Sequence, residues 1–294
     1  MGKQWGVYVK LLLTAVIWGG TFIAGRVVVQ EMGAFAAAFV RFAIASIALL
    51  LLLYRREKKL VFPARAQLLP LILLGLTGVF AYNAFFFLGL QTITASRAAL
   101  IIALNPVAIA IGSVLFLQEK LSGLRWLGVA TSVFGASIVI SEGNLGALFA
   151  GNLGWGEVFL LGCVVSWCAY TLIGKSVMRG LSPLISTTYA CVFGSIALAL
   201  PAIAQGLFAD LATLSFPATI GLFYLGLLGS AVGFNWYYEG VRQIGAAKAS
   251  VFINFVPVSA VILGVLLLKE PLPLTLLLGG FFVILGVFLS NRPS

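Results

Sequence analysis

Apolar stretches of about 20 residues, cut by short charged or Pro/Gly-rich breaks, recur from one end of the 294-residue sequence to the other. That is the length an α-helix needs to cross the hydrocarbon core of a bilayer. Inside that core each backbone N–H and C=O must find its partner within the protein, which helices achieve locally. The pattern therefore points to an all-α integral membrane protein. Ten transmembrane helices are expected, near residues 8–28, 34–54, 67–90, 95–117, 123–141, 155–178, 183–205, 217–240, 246–268 and 273–290. They leave no room for a soluble catalytic domain. Composition agrees: 62% of residues are hydrophobic and 9% charged, against about 25% charged in soluble domains, and the mean hydropathy is +1.13.

The net charge of +10 does not read as a nucleic-acid footprint, because the basic residues sit between apolar runs, as topology signals do. With the N-terminus cytoplasmic, fourteen of the eighteen Lys and Arg fall on the inner side, and only Arg26, Arg41, Arg97 and Lys269 fall near the other face. The loop 142–156 carries no base and is read as external. Both termini are thus expected in the cytoplasm, with the chain in a bacterial inner (plasma) membrane. Lys3 and Lys10 ahead of an apolar run look like a signal peptide, but the segment has a counterpart in the second half and is expected to stay.

The chain has no histidine, and Cys163, Cys168 and Cys191 all lie within apolar segments, without partner ligands at metal-binding spacing. They are read as packing residues. No metal, cofactor or nucleophile–base pair is expected, and the chain is not read as an enzyme. All eight acids lie at or near the ends of expected spans, so no deep carboxylate is available for proton coupling.

The second half repeats the first. An offset of 257 − 106 = 151 pairs Pro106 with Pro257, Gly75 with Gly226, Gly78 with Gly229, Gly89 with Gly240, Arg97 with Lys248, Glu119 with Glu270, Gly128 with Gly279 and Gly135 with Gly286. Nearer the start an offset of 149 pairs Trp18 with Trp167 and Arg26 with Lys175. This gives a repeat over 1–148 and a second over 149–294, each of five expected spans. Because five is odd, the second copy enters the membrane inverted. Charges agree: the 55–65 loop carries five bases and its counterpart near 206–216 none. Inverted repeats of this kind build transporters that bind their cargo near the midplane.

The run T-A-S-R-A-A-L…N-P-V…L-x-E-K-L at 94–121, its echo A-A-K-A-S…V-P-V…L-K-E-P-L at 246–272, and V-I-W-G-G-T-F at 16–22 resemble the EamA-type branch of the drug/metabolite transporter superfamily, its amino-acid exporters in particular. The resemblance covers essentially the whole chain. It implies ten helices, cytoplasmic termini, a cavity lined by helices 1, 3, 4, 6, 8 and 9, and export of aromatic and other amino acids by alternating access. In one departure, the second tryptophan segment reads V-S-W-C-A-Y-T, so the halves line the cavity unequally.

Pro106 and Pro257, near mid-span, free the carbonyls of Ile102 and Ile253 and are expected to act as hinges or as tolerated kinks. Among the aromatics, Trp5, Trp126 and Trp155 fit the interface, whereas Trp18 and Trp167 lie near mid-span and are candidates for the substrate path. Tyr82, Tyr170 and Trp236 are further candidates, and Asn83, Asn105 and Asn254 offer amides that could bind an amino acid or simply join helices. Gly229 and Gly233 read as packing residues, and Glu119–Lys120 and Lys269–Glu270 as solvated charge pairs. Arg97 and Lys248, at equivalent helix starts, could gate or attract anionic groups. The expected partners are a small-molecule substrate, amino acid or metabolite, and the lipid bilayer. A monomer is expected because both halves are on one chain. The rival readings are efflux of drugs or aromatic cations, which calls for a deep acid, and an intramembrane lipid-modifying enzyme, which calls for clustered acids or a nucleophile.

Overall fold

Leu, Ala, Val and Phe with few internal charges favour helix once water is removed, and a computed structural model shows only helices and turns among the described residues, 2–59, 62–117, 122–144, 154–177, 181–244 and 252–290. Eight helices are long and apolar enough to cross a membrane, and two shorter apolar ones follow. In chain order, α1 is Gly2–Val28, α2 Ala34–Glu57 and α3 Arg65–Thr92. Next come α4, in two segments Ala95–Ile102 and Asn105–Leu117, α5 Gly123–Ser141, α6 Trp155–Val177 and α7 Pro183–Ala204. A short helix α8, Leu207–Thr213, precedes α9, Phe216–Tyr237, which runs on helically to Ile244. The shorter pair are α10, Phe255–Leu268, and α11, Leu274–Ser290. At 1.5 Å per residue, the 14 residues of α10 span about 21 Å, short of the roughly 30 Å of a bilayer core. The expected helix start at 246 lies outside the described residues.

Two helices are broken where the sequence placed prolines. α4 consists of Ala95–Ile102 and Asn105–Leu117, joined by a turn at Ala103 and Leu104. Before α10, Asn254 forms a one-residue turn, 254 − 103 = 151 positions after the first. Two further irregularities were not expected. Gly75–Ala81 within α3 and Tyr224–Val232 within α9 are π-helical, and Gly226–Val232 lies 151 positions beyond the first. π-Segments shift hydrogen bonding from i−4 to i−5 and leave carbonyls under-used. The side chains of Asn83 and Ser230 donate to such carbonyls, at Val79 (2.9 Å) and Leu225 (3.0 Å).

Glycines set the closest helix contacts. α5 and α11 cross antiparallel with backbones nearly touching: a Cβ on Gly128 would lie 2.7 Å from the carbonyl of Gly286, and one on Gly135 2.6 Å from that of Gly279. Between them the Ser132 hydroxyl donates to the Val283 carbonyl at 3.0 Å. Likewise a Cβ on Gly75 would meet the Ala190 carbonyl on α7, and one on Gly226 the Arg41 carbonyl on α2, each at 2.9 Å. Each π-segment therefore leans on a helix of the opposite half. Trp5, Trp126 and Trp155 are exposed on the outside of the bundle.

Candidate functional site

Where the π-segments of α3 and α9 lean across, α2, α3, α6, α7 and α9 line a small cavity of about 30 Å³. Its aromatic wall is a chain of rings: Tyr82 meets Trp167 at 5.3 Å between centroids, and Trp167 meets Tyr170 at 5.2 Å. Tyr82 also stacks on Phe86 at 6.2 Å. Phe42 and Phe234 complete the apolar lining. Room for the Tyr170 ring comes from Gly78, where a Cβ would fall 2.3 Å from the ring.

The polar wall holds Asn83, Thr187 and Arg41. Asn83 is 1% exposed, its amide fixed on the π-segment, so that its oxygen is free to accept from Nη1 of Arg41 at 3.1 Å. Nε of Arg41 donates to the Ser230 hydroxyl at 3.3 Å. The guanidinium also lies over the rings of Phe42 and Phe86, at 5.1 and 5.9 Å, a favourable placement for a cation. Thr187 is buried and its hydroxyl has no hydrogen-bond partner among the described residues. Among those residues no carboxylate lines the cavity, and no group of His, Cys, Asp or Glu could hold a metal. Cys191 lies in the wall as a free thiol, and Cys163 is buried with its thiol donating to the Tyr82 carbonyl at 3.3 Å.

Of the residues singled out from sequence, Tyr82, Asn83, Trp167 and Tyr170 meet in this cavity. Trp18 does not. Its indole N–H donates to the Gly229 carbonyl at 2.9 Å, and its ring packs on Phe234 and Tyr237. It stands beside a second, smaller recess with Leu11, Phe252 and Ile253. Asn105 opens the second segment of α4 with its carbonyl oxygen buried and unpartnered among the described residues, and Asn254 sits in the turn before α10; neither lines the cavity. Trp236 is half-buried on α9, also outside it.

Arg41, expected near the outer face, is 7% exposed and in the cavity wall, seven residues into α2. Two expectations are corrected. Helices 2 and 7 line the cavity, whereas α1, α4 and α10 do not. The reason is that α1 packs directly on α10, Gly19 lying so close that a Cβ would come within 2.8 Å of the Ala260 nitrogen. Glu270 is not a solvated partner of Lys269. Its carboxylate accepts from the backbone N–H groups of Ala95 (2.7 Å) and Ser96 (3.0 Å) and from the Ser96 hydroxyl (2.5 Å). It thereby satisfies donors that the start of α4 leaves open and meets the positive end of the helix dipole. Glu119, Lys120 and Lys248 lie outside the described residues.

The same end of the bundle carries further ties. Arg97 pairs with Glu142 and, at 2.8 Å, with Glu157, linking the start of α4 to the end of α5 and the start of α6. Glu31 accepts from the Ser215 hydroxyl (2.6 Å) and N–H (2.8 Å), which hold its carboxyl below the ordinary 4.5. Asp210 accepts from the Gly33 N–H at 2.9 Å and Gln205 from that of Phe35 at 3.0 Å. At the opposite end Lys10 on α1 pairs with Glu239 on α9 at 2.9 Å.

Comparison with known proteins agrees with this architecture. A likeness to a solved crystal structure has a TM-score of 0.68 at 18% identity, covering 97% of this chain and 96% of that one. The chain is 27% identical to YyaM, an uncharacterized transporter of Bacillus subtilis, over 98% of this chain and 94% of the relative. It is 31% identical to an uncharacterized transporter of Archaeoglobus fulgidus over 99% of both chains. With a protein of Streptantibioticus cattleyicolor named a probable terminal-alkyne amino-acid exporter, identity is 32% over 96% of this chain and 92% of the relative. Residues 5–141 and again 154–292 match one and the same family, so the chain, a multi-pass membrane protein by its helices, belongs to the EamA-like transporter family.

Proposed function

We propose that this transporter exports amino acids, aromatic and other neutral ones, or closely related small metabolites, by alternating access through the cavity between its halves. The observation that carries the reading is the cavity wall: a line of aromatic rings facing buried hydrogen-bonding groups and the Arg41 guanidinium, with no acid among the described residues. Rings offer area to an apolar or aromatic side chain, and hydroxyl and amide groups suit the polar end of an amino acid. The relative named as an amino-acid exporter supports the choice of cargo.

The two halves are five-helix repeats, 1–148 and 149–294, set in the membrane in opposite senses and giving ten spans. Support comes from the twofold family match, from the π-segments and helix breaks that recur at the 151-residue offset, and from the antiparallel α5–α11 crossing. The basic residues at the end carrying Lys10 support a cytoplasmic position for that end, in a bacterial inner membrane. The end tied by Arg97, Glu270 and Glu31 is then external and shut. Transport is facilitative, since a carboxylate that would couple it to protons is lacking in the wall among the described residues. Efflux of aromatic cations fits poorly with the same wall.

Counterflow into liposomes preloaded with unlabelled amino acids tests this, using labelled phenylalanine, threonine and lysine with and without a pH gradient. Saturable exchange of the neutral substrates, indifferent to the gradient, is expected. Exchange that scales with the gradient removes the facilitative mechanism, and no exchange of any amino acid removes the cargo.

A further inference from the structure

Arg41 is a cation that the fold buries without neutralising. The ion pairs among the described residues engage Lys10 and Arg97, and none engages Arg41. Its hydrogen-bond partners, Asn83 and Ser230, are neutral, and the rings of Phe42 and Phe86 offer only partial compensation. A charge at this depth in a membrane protein is costly, and it is found facing a cavity or a partner. Here the cavity is present.

Two details indicate what enters it. Asn83 and Ser230 bind Nη1 and Nε and so fix the plane of the guanidinium, whose planar fork suits a carboxylate better than any neutral group. Thr187, also in the cavity wall, is 4% exposed and its hydroxyl lacks a partner among the described residues. A buried hydroxyl left so is unfavourable until something bonds to it.

We propose that Arg41 is the anchor for a carboxylate on the cargo, with the Thr187 hydroxyl as a second donor and the Tyr82–Trp167–Tyr170 wall taking the apolar body. The ligand class is a small monocarboxylate with an apolar or aromatic body, neutral amino acids included. Amines of the same shape that lack the carboxylate are rejected, because they would bring a second positive charge to the guanidinium. The assignment rests on the reading that cargo occupies this cavity. Asn83 follows the first π-segment and Ser230 lies in the second, so a carboxylate on Arg41 acts where both halves meet.

The test is a ligand series on the purified full-length protein in detergent, read as the shift in thermal unfolding midpoint: phenylalanine, 3-phenylpropionate, phenylalaninamide and phenethylamine. The two carboxylates are expected to stabilise the wild type and the two amines not to. Arg41→Gln should weaken carboxylate binding roughly 10- to 100-fold. Should Arg41→Gln fail to fold, Arg41→Lys and Thr187→Val carry the test. The lysine variant should keep the preference for carboxylate over amide at reduced affinity, and the valine variant should weaken the carboxylates. The proposal is overturned if amines stabilise as well as carboxylates, if no member binds, or if the variants keep wild-type carboxylate affinity. Counterflow separates the two readings. Carboxylates that bind through Arg41 yet are not carried sink the export reading alone, while substrates carried with equal affinity by wild type and variants sink the anchor alone.

Discussion

Trp167 touches both Tyr82 and Tyr170, so its removal opens the aromatic wall at its centre. Trp167→Ala is expected to lower phenylalanine exchange at limiting substrate about tenfold or more, since an aromatic contact of this kind is worth roughly 0.5–1.5 kcal/mol beyond its buried area. Initial-rate counterflow reads this directly. Gly78→Ala acts from the other side. Its methyl would meet the Tyr170 ring and push it into the cavity, so uptake should fall while the variant still purifies as a monodisperse protein. Outside the membrane, Glu31 offers a pH test. Ser215 stabilises the ionised form, so the contact is complete above pH 4.5 and lost as the pH falls through the depressed value. A carbon-13 titration of Glu31 should show a midpoint under 4.5, and Ser215→Ala should raise it. The sequence singled out Tyr82, Asn83, Trp167 and Tyr170, which the fold brings to one cavity wall, because aromatic and amide groups within spans are out of place against lipid. It did not reveal Arg41 or Thr187. A lone arginine seven residues into a span resembles an interfacial anchor, and a threonine hydroxyl in a helix ordinarily bonds its own backbone.

At the scale of the element, the helix breaks at Ala103–Leu104 and Asn254 follow from proline chemistry and were legible. The π-segments were not, because no residue type encodes an i−5 bond. They depend on cross-chain packing of Gly75 and Gly226 and on side chains that absorb the freed carbonyls. The α5–α11 crossing was legible only as paired glycines. Gly135→Val should disrupt it, since even a Cβ there lies 2.5 Å from the Val283 nitrogen and the obstacle is backbone. A loss of roughly 1–3 kcal/mol is expected, as for other overpacked sites, seen as a lower unfolding midpoint in detergent. Glu270→Gln keeps the shape but removes the charge that caps α4. Charge-assisted bonds are about twice as strong as neutral ones, so amide hydrogen exchange at Ala95 and Ser96 should speed up.

For the whole molecule, an all-helical membrane fold could be read from the apolar runs, and the family from the paired motifs. Which helices meet at the cavity could not, because that depends on the close α1–α10 contact and on the lean of α3 and α9. In this conformation one end of the bundle is held by contacts between distant segments, among them Glu31 with Ser215, 184 positions apart in sequence. If cargo crosses by alternating access, that end must open in every cycle. The decisive measurement is phenylalanine counterflow with cysteines at positions 31 and 215 joined by a reducible bifunctional cross-linker, Cys163, Cys168 and Cys191 having been replaced. The mechanism predicts that cross-linking abolishes exchange, that reduction restores it, and that phenylalanine binding survives throughout. Undiminished exchange in the fully cross-linked protein would contradict it, as would absence of exchange after reduction.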